Sequence, residues 1–142
     1  MHIHLICYPG AVTPCVCSTL RRAARSVTSR YDRALASAGL TVTQYALLSR
    51  IKRAGAVSLK DLAGGMGMDR TTLTRDLQPL ERAGWVASDS GADRRRRLIK
   101  LTPAGKMQFE TAYPLWEAIQ KEMLLKIGKA RWQSLQEILV SI

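Results

Sequence analysis

Between residues 84 and 102 the apolar period of the chain drops from about four residues to two, and no other feature constrains the fold as much. Trp85-Val86-Ala87-Ser88-Asp89 and Arg97-Leu98-Ile99-Lys100-Leu101 read as two short strands. The polar turn Ser90-Gly91-Ala92-Asp93 and the consecutive Arg94, Arg95, Arg96 and Arg97 join them as a hairpin. Adjacent guanidiniums at a turn repel one another unless an anion lies alongside. The hairpin therefore reads as a surface for a polyanion.

Helical patterns flank it on both sides. Leu20, Ala23, Ala24, Val27, Tyr31, Ala34, Leu35 and Ala38 recur at three- and four-residue spacing, and Gly39 stops that helix. Thr41-Val42-Thr43-Gln44 has the form of a cap before a short helix with Tyr45, Leu47, Leu48 and Ile51 inward. Ser58 caps a third helix carrying Leu59, Leu62, Ala63 and Met66, and its Gly64-Gly65 weakens the expectation for the last turn. Asp69 caps a fourth, anchored by Leu73, Leu77 and Leu80 and closed by Ala83-Gly84. After the hairpin, Thr102-Pro103 opens a long helix, which Pro114 is expected to kink. A last helix after Gly128 aligns Trp132, Leu135, Ile138 and Leu139. Residues 1–13 show no period and read as an extended arm. The expected class is mainly α with a small β-hairpin wing.

Charge points to the partner. The 142 residues hold 22 Lys and Arg against 11 Asp and Glu, a formal net charge of +11. This excess favours nucleic acid. No apolar run approaches the roughly 18 residues that span a bilayer, and the first residues lack a charged signal region, so no membrane partner is expected and the protein reads as cytoplasmic. An enzyme is not expected either. His2 and His4 both lie in the arm, and neither a phosphate-binding Gly-rich loop nor a Ser-His-Asp order is present. No cofactor is expected.

Two helices joined by a tight glycine-containing turn, then a basic hairpin, suit double-stranded DNA. The second helix enters the major groove and the hairpin lies along the neighbouring backbone or minor groove. The recognition helix spans 69–82, with Arg70, Thr71, Thr72, Thr74, Arg75 and Gln78 on its outer face. Arginine pairs bidentately with guanine, and threonine offers a hydroxyl and a methyl. Ser58 and Lys60 begin the bracing helix and suit phosphate contacts.

The segments Leu40-Thr41-Val42-Thr43-Gln44-Tyr45-Ala46-Leu47-Leu48, Asp69-Arg70-Thr71-Thr72-Leu73-Thr74-Arg75, Leu80-Glu81-Arg82-Ala83-Gly84-Trp85-Val86, Asp93-Arg94-Arg95 and Leu101-Thr102-Pro103-Ala104-Gly105 resemble, in order and spacing, the multiple-antibiotic-resistance regulator (MarR) family. The resemblance implies a winged helix-turn-helix homodimer in which the first and last helices intertwine. It implies binding to a pseudo-palindromic operator, usually as a repressor. Asp93 matches the wing acid that orients an arginine, Arg95 matches that arginine, and Arg94 or Arg96 falls at the wing tip. Residues 14–142 then form one domain: a DNA-binding lobe over 41–102 and dimerisation helices over 15–38 and 103–142. The apolar faces of the outer helices favour a dimer independently.

Two signals are open. Cys15 and Cys17 stand at the start of the first helix, where the helix dipole, Arg21 and Arg22 lower a thiol pKa. Such a pair suits oxidation between subunits, or capture of a soft metal or arsenite, with His2, His4 and Cys7 as further ligands. The rival is a small aromatic acid, as family members commonly bind, in a crevice between the lobes lined by Arg25, Tyr31, Tyr45, Met107, Tyr113 and Trp116. A non-specific nucleoid-associated protein is the competing DNA-binding role, since charge alone serves it.

Overall fold

The computed structural model describes residues 13–89 and 97–142. Helix α1 (Val16–Leu35) passes through a 3₁₀ turn (Ala36–Ala38) to Gly39, whose φ of 69° ends it in the left-handed region. Then follow α2 (Val42–Ala54), β1 (Val57–Ser58), α3 (Leu59–Met66), α4 (Arg70–Arg82), β2 (Val86–Asp89), β3 (Leu98–Leu101), α5 (Pro103–Ile127) and α6 (Lys129–Val140). The expected class, helices with a small β wing, is the observed one.

Helix starts follow the caps. Thr41 and Gln44 form a reciprocal box: the Thr41 hydroxyl accepts from the Gln44 N–H at 3.2 Å, and the Gln44 side chain accepts from the Thr41 N–H at 3.0 Å. The next orphan donor of α2, the Val42 N–H, reaches Asp32 of α1 at 2.8 Å, which ties the two helices together. Ser58, Asp69 and Thr102 cap α3, α4 and α5 in turn.

Side chains from α1, α2, α3 and α4 meet in one core. Leu35, Leu47, Leu48, Ile51, Leu62, Leu73 and Leu80 are fully buried, and Val86, Ile99 and Leu101 close the core from the sheet. Each buried leucine contributes about 2 kcal/mol through area removed from water. That burial seats α4 rigidly, and its polar face is left outward.

Two features depart from the sequence reading. The hairpin is part of a three-stranded antiparallel sheet, in which Val57 and Ser58 pair with Ile99 and Leu98 along the outer edge of β3. Two residues are too short a run to show a period. Gly64 and Gly65 lie inside α3, which continues to Gly67 at φ 63°. Helix α5 spans Pro103 to Ile127 with Pro114 in its interior. Proline removes the donor for the carbonyl four residues earlier, on Glu110, which is exposed. Among the described residues, no helix is long and apolar enough to cross a membrane.

Candidate nucleic-acid interface

The turn from α3 to α4 sets the site. Gly67 N–H bonds to Gly64 C=O and Met68 N–H to Ala63 C=O, so the chain reverses tightly and delivers Asp69 to the start of α4. Asp69 binds with both oxygens. Its Oδ1 accepts from the Thr72 N–H at 2.8 Å and its Oδ2 from the Thr72 hydroxyl at 2.9 Å. These bonds, the backbone one first, hold the Asp69 carboxyl below its ordinary pKa.

From this start α4 presents Arg70, Thr71, Thr74, Arg75 and Gln78 together around one shallow groove of about 380 Å³. Arg70, Thr71, Thr74, Arg75 and Gln78 are all exposed, while Leu73, Leu77 and Leu80 face the core. Of the six outward residues expected, these five share the groove. Thr72 is half-buried and its hydroxyl proton is spent on Asp69. Among the described residues Arg75 forms a loose ion pair with Asp76, at 3.9 Å, and its side chain is mostly exposed. Ser58 is half-buried, its oxygen accepting from the Asp61 N–H at 3.1 Å, while Lys60 is exposed beside it. Asp93, Arg94, Arg95 and Arg96 lie outside the described residues.

Apolar periodicity passes over Pro79, although the residue itself is signal enough. It sits inside α4 and removes the helical donor for the Arg75 carbonyl, on the exposed face.

The signal candidates are dispersed. Cys15 and Cys17 are exposed free thiols. Hydrogen bonding from the Ser18 backbone, then from its hydroxyl, holds the Cys15 thiol below its usual pKa. The arginines expected to do this are not among the causes. No three His, Cys, Asp or Glu side chains gather as a metal site among the described residues, and His2, His4 and Cys7 lie outside them. Of the crevice residues, Tyr45 and Trp116 do meet, but as packing. Tyr45 is 4% exposed and stacked between Phe109 at 5.3 Å and Trp116 at 5.5 Å, with Tyr113 tilted against both outer rings. Burial, with Tyr113 nearby, pushes its hydroxyl pKa to about 12. Tyr31 instead donates to Gln120 at 2.5 Å. Arg25 lines a separate groove along α1 with Ser29, Asp32 and Arg33, and Met107 points to solvent. The described structure does not bring Arg25, Tyr31, Tyr45 and Trp116 into one crevice.

Helix, tight turn, second helix with a cationic outer face, then an antiparallel sheet: this is a winged helix-turn-helix DNA-binding protein. The MarR family model matches residues 40–97. The transcriptional regulator MosR of M. tuberculosis, solved in complex with DNA, is 38% identical with a TM-score of 0.79, over 89% of this chain and 92% of that one. The transcriptional activatory protein BadR of Rhodopseudomonas palustris is 36% identical over 97 residues, 65% of this chain and 55% of BadR. The HTH-type transcriptional regulator YwoH of Bacillus subtilis is 25% identical over 105 residues, 74% of this chain and 77% of YwoH. The chain belongs to the MarR family and is a DNA-binding transcriptional regulator.

Proposed function

We propose that the protein is a homodimeric repressor that binds a pseudo-palindromic operator, with one α4 in the major groove of each half-site. The single observation that carries this is the convergence of Arg70, Thr71, Thr74, Arg75 and Gln78 on one open groove of a helix whose other face is anchored by leucines. Lys60 and Ser58 then lie toward phosphates, and Asp93 with Arg94, Arg95 and Arg96 serves the wing. Residues 41–102 act as the DNA lobe, and 15–38 with 103–142 as the dimerisation helices. Supporting the dimer is an apolar groove of about 440 Å³ between α1, α5 and α6, lined by Leu20, Val27, Met123, Trp132, Leu135 and Leu139. A partner's helices would cover it. Two-fold symmetry sets the two α4 helices about 34 Å apart, one turn of DNA.

The test compares a duplex selected in vitro from a random library with its scrambled counterpart, across a salt series. A specific regulator keeps a large affinity ratio as salt rises, and Arg70→Ala or Arg75→Ala collapses that ratio. Equal losses on both duplexes would mark a non-specific nucleoid-associated binder instead. A promoter-reporter assay gives the sign of regulation, and activation of the reporter overturns repression.

The signal we propose is thiol chemistry at Cys15 and Cys17, favoured by their exposure and by the lowered Cys15 pKa. Diamide, by taking two electrons and two protons from a thiol pair, or copper(I) or arsenite, by binding it, releases the operator. Wild-type binding unchanged by all three, and equal to that of Cys15→Ser/Cys17→Ser, refutes this.

A further inference from the structure

Thr71, Thr72 and Thr74 stand close together at the start of α4, and their hydroxyls are not equivalent. The Thr72 proton goes to Asp69. The Thr74 hydroxyl donates back along the helix to the Arg70 carbonyl at 2.8 Å. Thr74 is nevertheless exposed and lines the same groove as Arg70, Arg75 and Gln78. With its proton committed inside the helix, this side chain has no hydrogen to donate to the acceptors that dominate the major-groove edge: guanine O6 and N7, adenine N7 and thymine O4. What it still offers is its methyl group, and an oxygen that can accept only from adenine N6–H or cytosine N4–H. The apolar feature of a base edge in that groove is the C5-methyl of thymine.

We infer that Thr74 is a specificity-determining residue that selects thymine by methyl-to-methyl contact, with its hydroxyl engaged in the helix. Arg70, Thr74 and Gln78 are spaced four residues apart and so form one ridge along α4. The thymine contact thus lies between an arginine, suited to guanine, and a glutamine, suited to adenine. This rests on the proposed placement of α4 in the major groove.

The full-length protein and its in-vitro-selected duplex provide the test. Each thymine of one half-site is replaced in turn by deoxyuridine, which removes only the C5-methyl. At one position wild type loses about four-fold in affinity, the worth of burying one methyl group. Thr74→Val keeps a methyl without the hydroxyl and retains the wild-type affinity and uridine effect. Thr74→Ser keeps the hydroxyl and the back-bond but acts in both subunits, so it loses about 16-fold on the thymine duplex, about four-fold per half-site, and loses nothing more on the uridine duplex. The opposite order, with serine neutral and valine weakened, assigns the reading to the hydroxyl and overturns the inference. So does a uridine scan without effect. Arg70→Ala and Arg75→Ala run alongside. If they abolish discrimination while the Thr74 series fails, only the thymine contact falls. If they leave discrimination intact, the placement of α4 falls with it. Circular dichroism of each variant confirms that α4 still forms.

Discussion

Gly105 packs directly on the backbone of Trp85: a Cβ built on Gly105 would overlap the Trp85 carbonyl oxygen and fall 2.8 Å from its carbon. The same corner holds Thr102, whose N–H donates to the Trp85 carbonyl at 3.1 Å and whose hydroxyl donates to the Gly84 carbonyl at 2.5 Å while accepting from the Gly105 N–H at 3.0 Å. The start of α5 is thereby clamped onto the turn that ends α4.

Gly105→Ala tests that clamp. Helix propensity alone favours alanine by about 1 kcal/mol. The backbone it would strike is itself held, since the Trp85 N–H bonds to the Leu80 carbonyl at 3.0 Å. Overpacking costs about 1–3 kcal/mol or more, and against a backbone that cannot yield it outweighs the propensity gain, so the variant is destabilised. Urea unfolding at fixed protein concentration reads the loss, and specific DNA affinity falls with it because the end of α4 must shift. Unchanged or raised stability would show that the corner yields freely.

The two glycines of α3 separate in the same kind of experiment. A Cβ on Gly64 meets nothing within 4 Å, whereas one on Gly65 would overlap the Arg50 guanidinium, 2.9 Å from its Cζ. Gly64→Ala is expected to stabilise the protein by roughly 0.5–1 kcal/mol. For Gly65→Ala the expected change is near zero, because the long Arg50 side chain must leave its place. In an Arg50→Ala background the gain at residue 65 returns to roughly that of residue 64, a non-additivity that a double-mutant cycle measures directly.

Local information and long-range information divide at these positions. Caps and periods are local, so Thr41, Ser58, Asp69 and Thr102 are legible in the sequence as helix starts, and the leucines of α4 as its anchor. The outer face of α4 follows by subtraction. Pairing of Val57 and Ser58 with β3 is not legible, because their partners lie some forty residues away and two residues carry no alternation. Nor is the fate of the Thr72 and Thr74 hydroxyls, which depends on rotamers and not on residue type. Tyr45 falls between these cases: aromatic spacing marks it, but its stacking between Phe109 and Trp116 needs α5 folded back on α2.

Acid should act through Asp69. Its pKa in the folded protein lies below the ordinary 3.8 because the ionised carboxylate accepts from Thr72 twice. A depressed folded pKa means that the stabilisation is complete above the unfolded value and disappears as pH falls through the folded one. Asp69→Asn, which keeps an acceptor but loses the charge, is therefore expected to melt below wild type at all pH values above about 5. The two melting curves should converge as the pH falls below about 4. A gap that stays constant down to about pH 2 would mean that the carboxylate bonds contribute nothing beyond a neutral cap.

Reactivity at Cys15 is checked most directly by alkylation. In a Cys7→Ser/Cys17→Ser background, the iodoacetamide rate rises with the thiolate fraction, so its pH midpoint reports the Cys15 pKa. The midpoint should lie below the reference value of 9.0, because the Ser18 backbone and hydroxyl both favour the ionised sulfur. Ser18→Ala removes the hydroxyl and leaves the backbone donor, which is the larger of the two influences. It should return the midpoint only part of the way. An unchanged midpoint in Ser18→Ala would assign the whole effect to the helix backbone. A wild-type midpoint equal to that of a cysteine in a short unstructured peptide would remove the physical basis for thiol sensing at this end of α1.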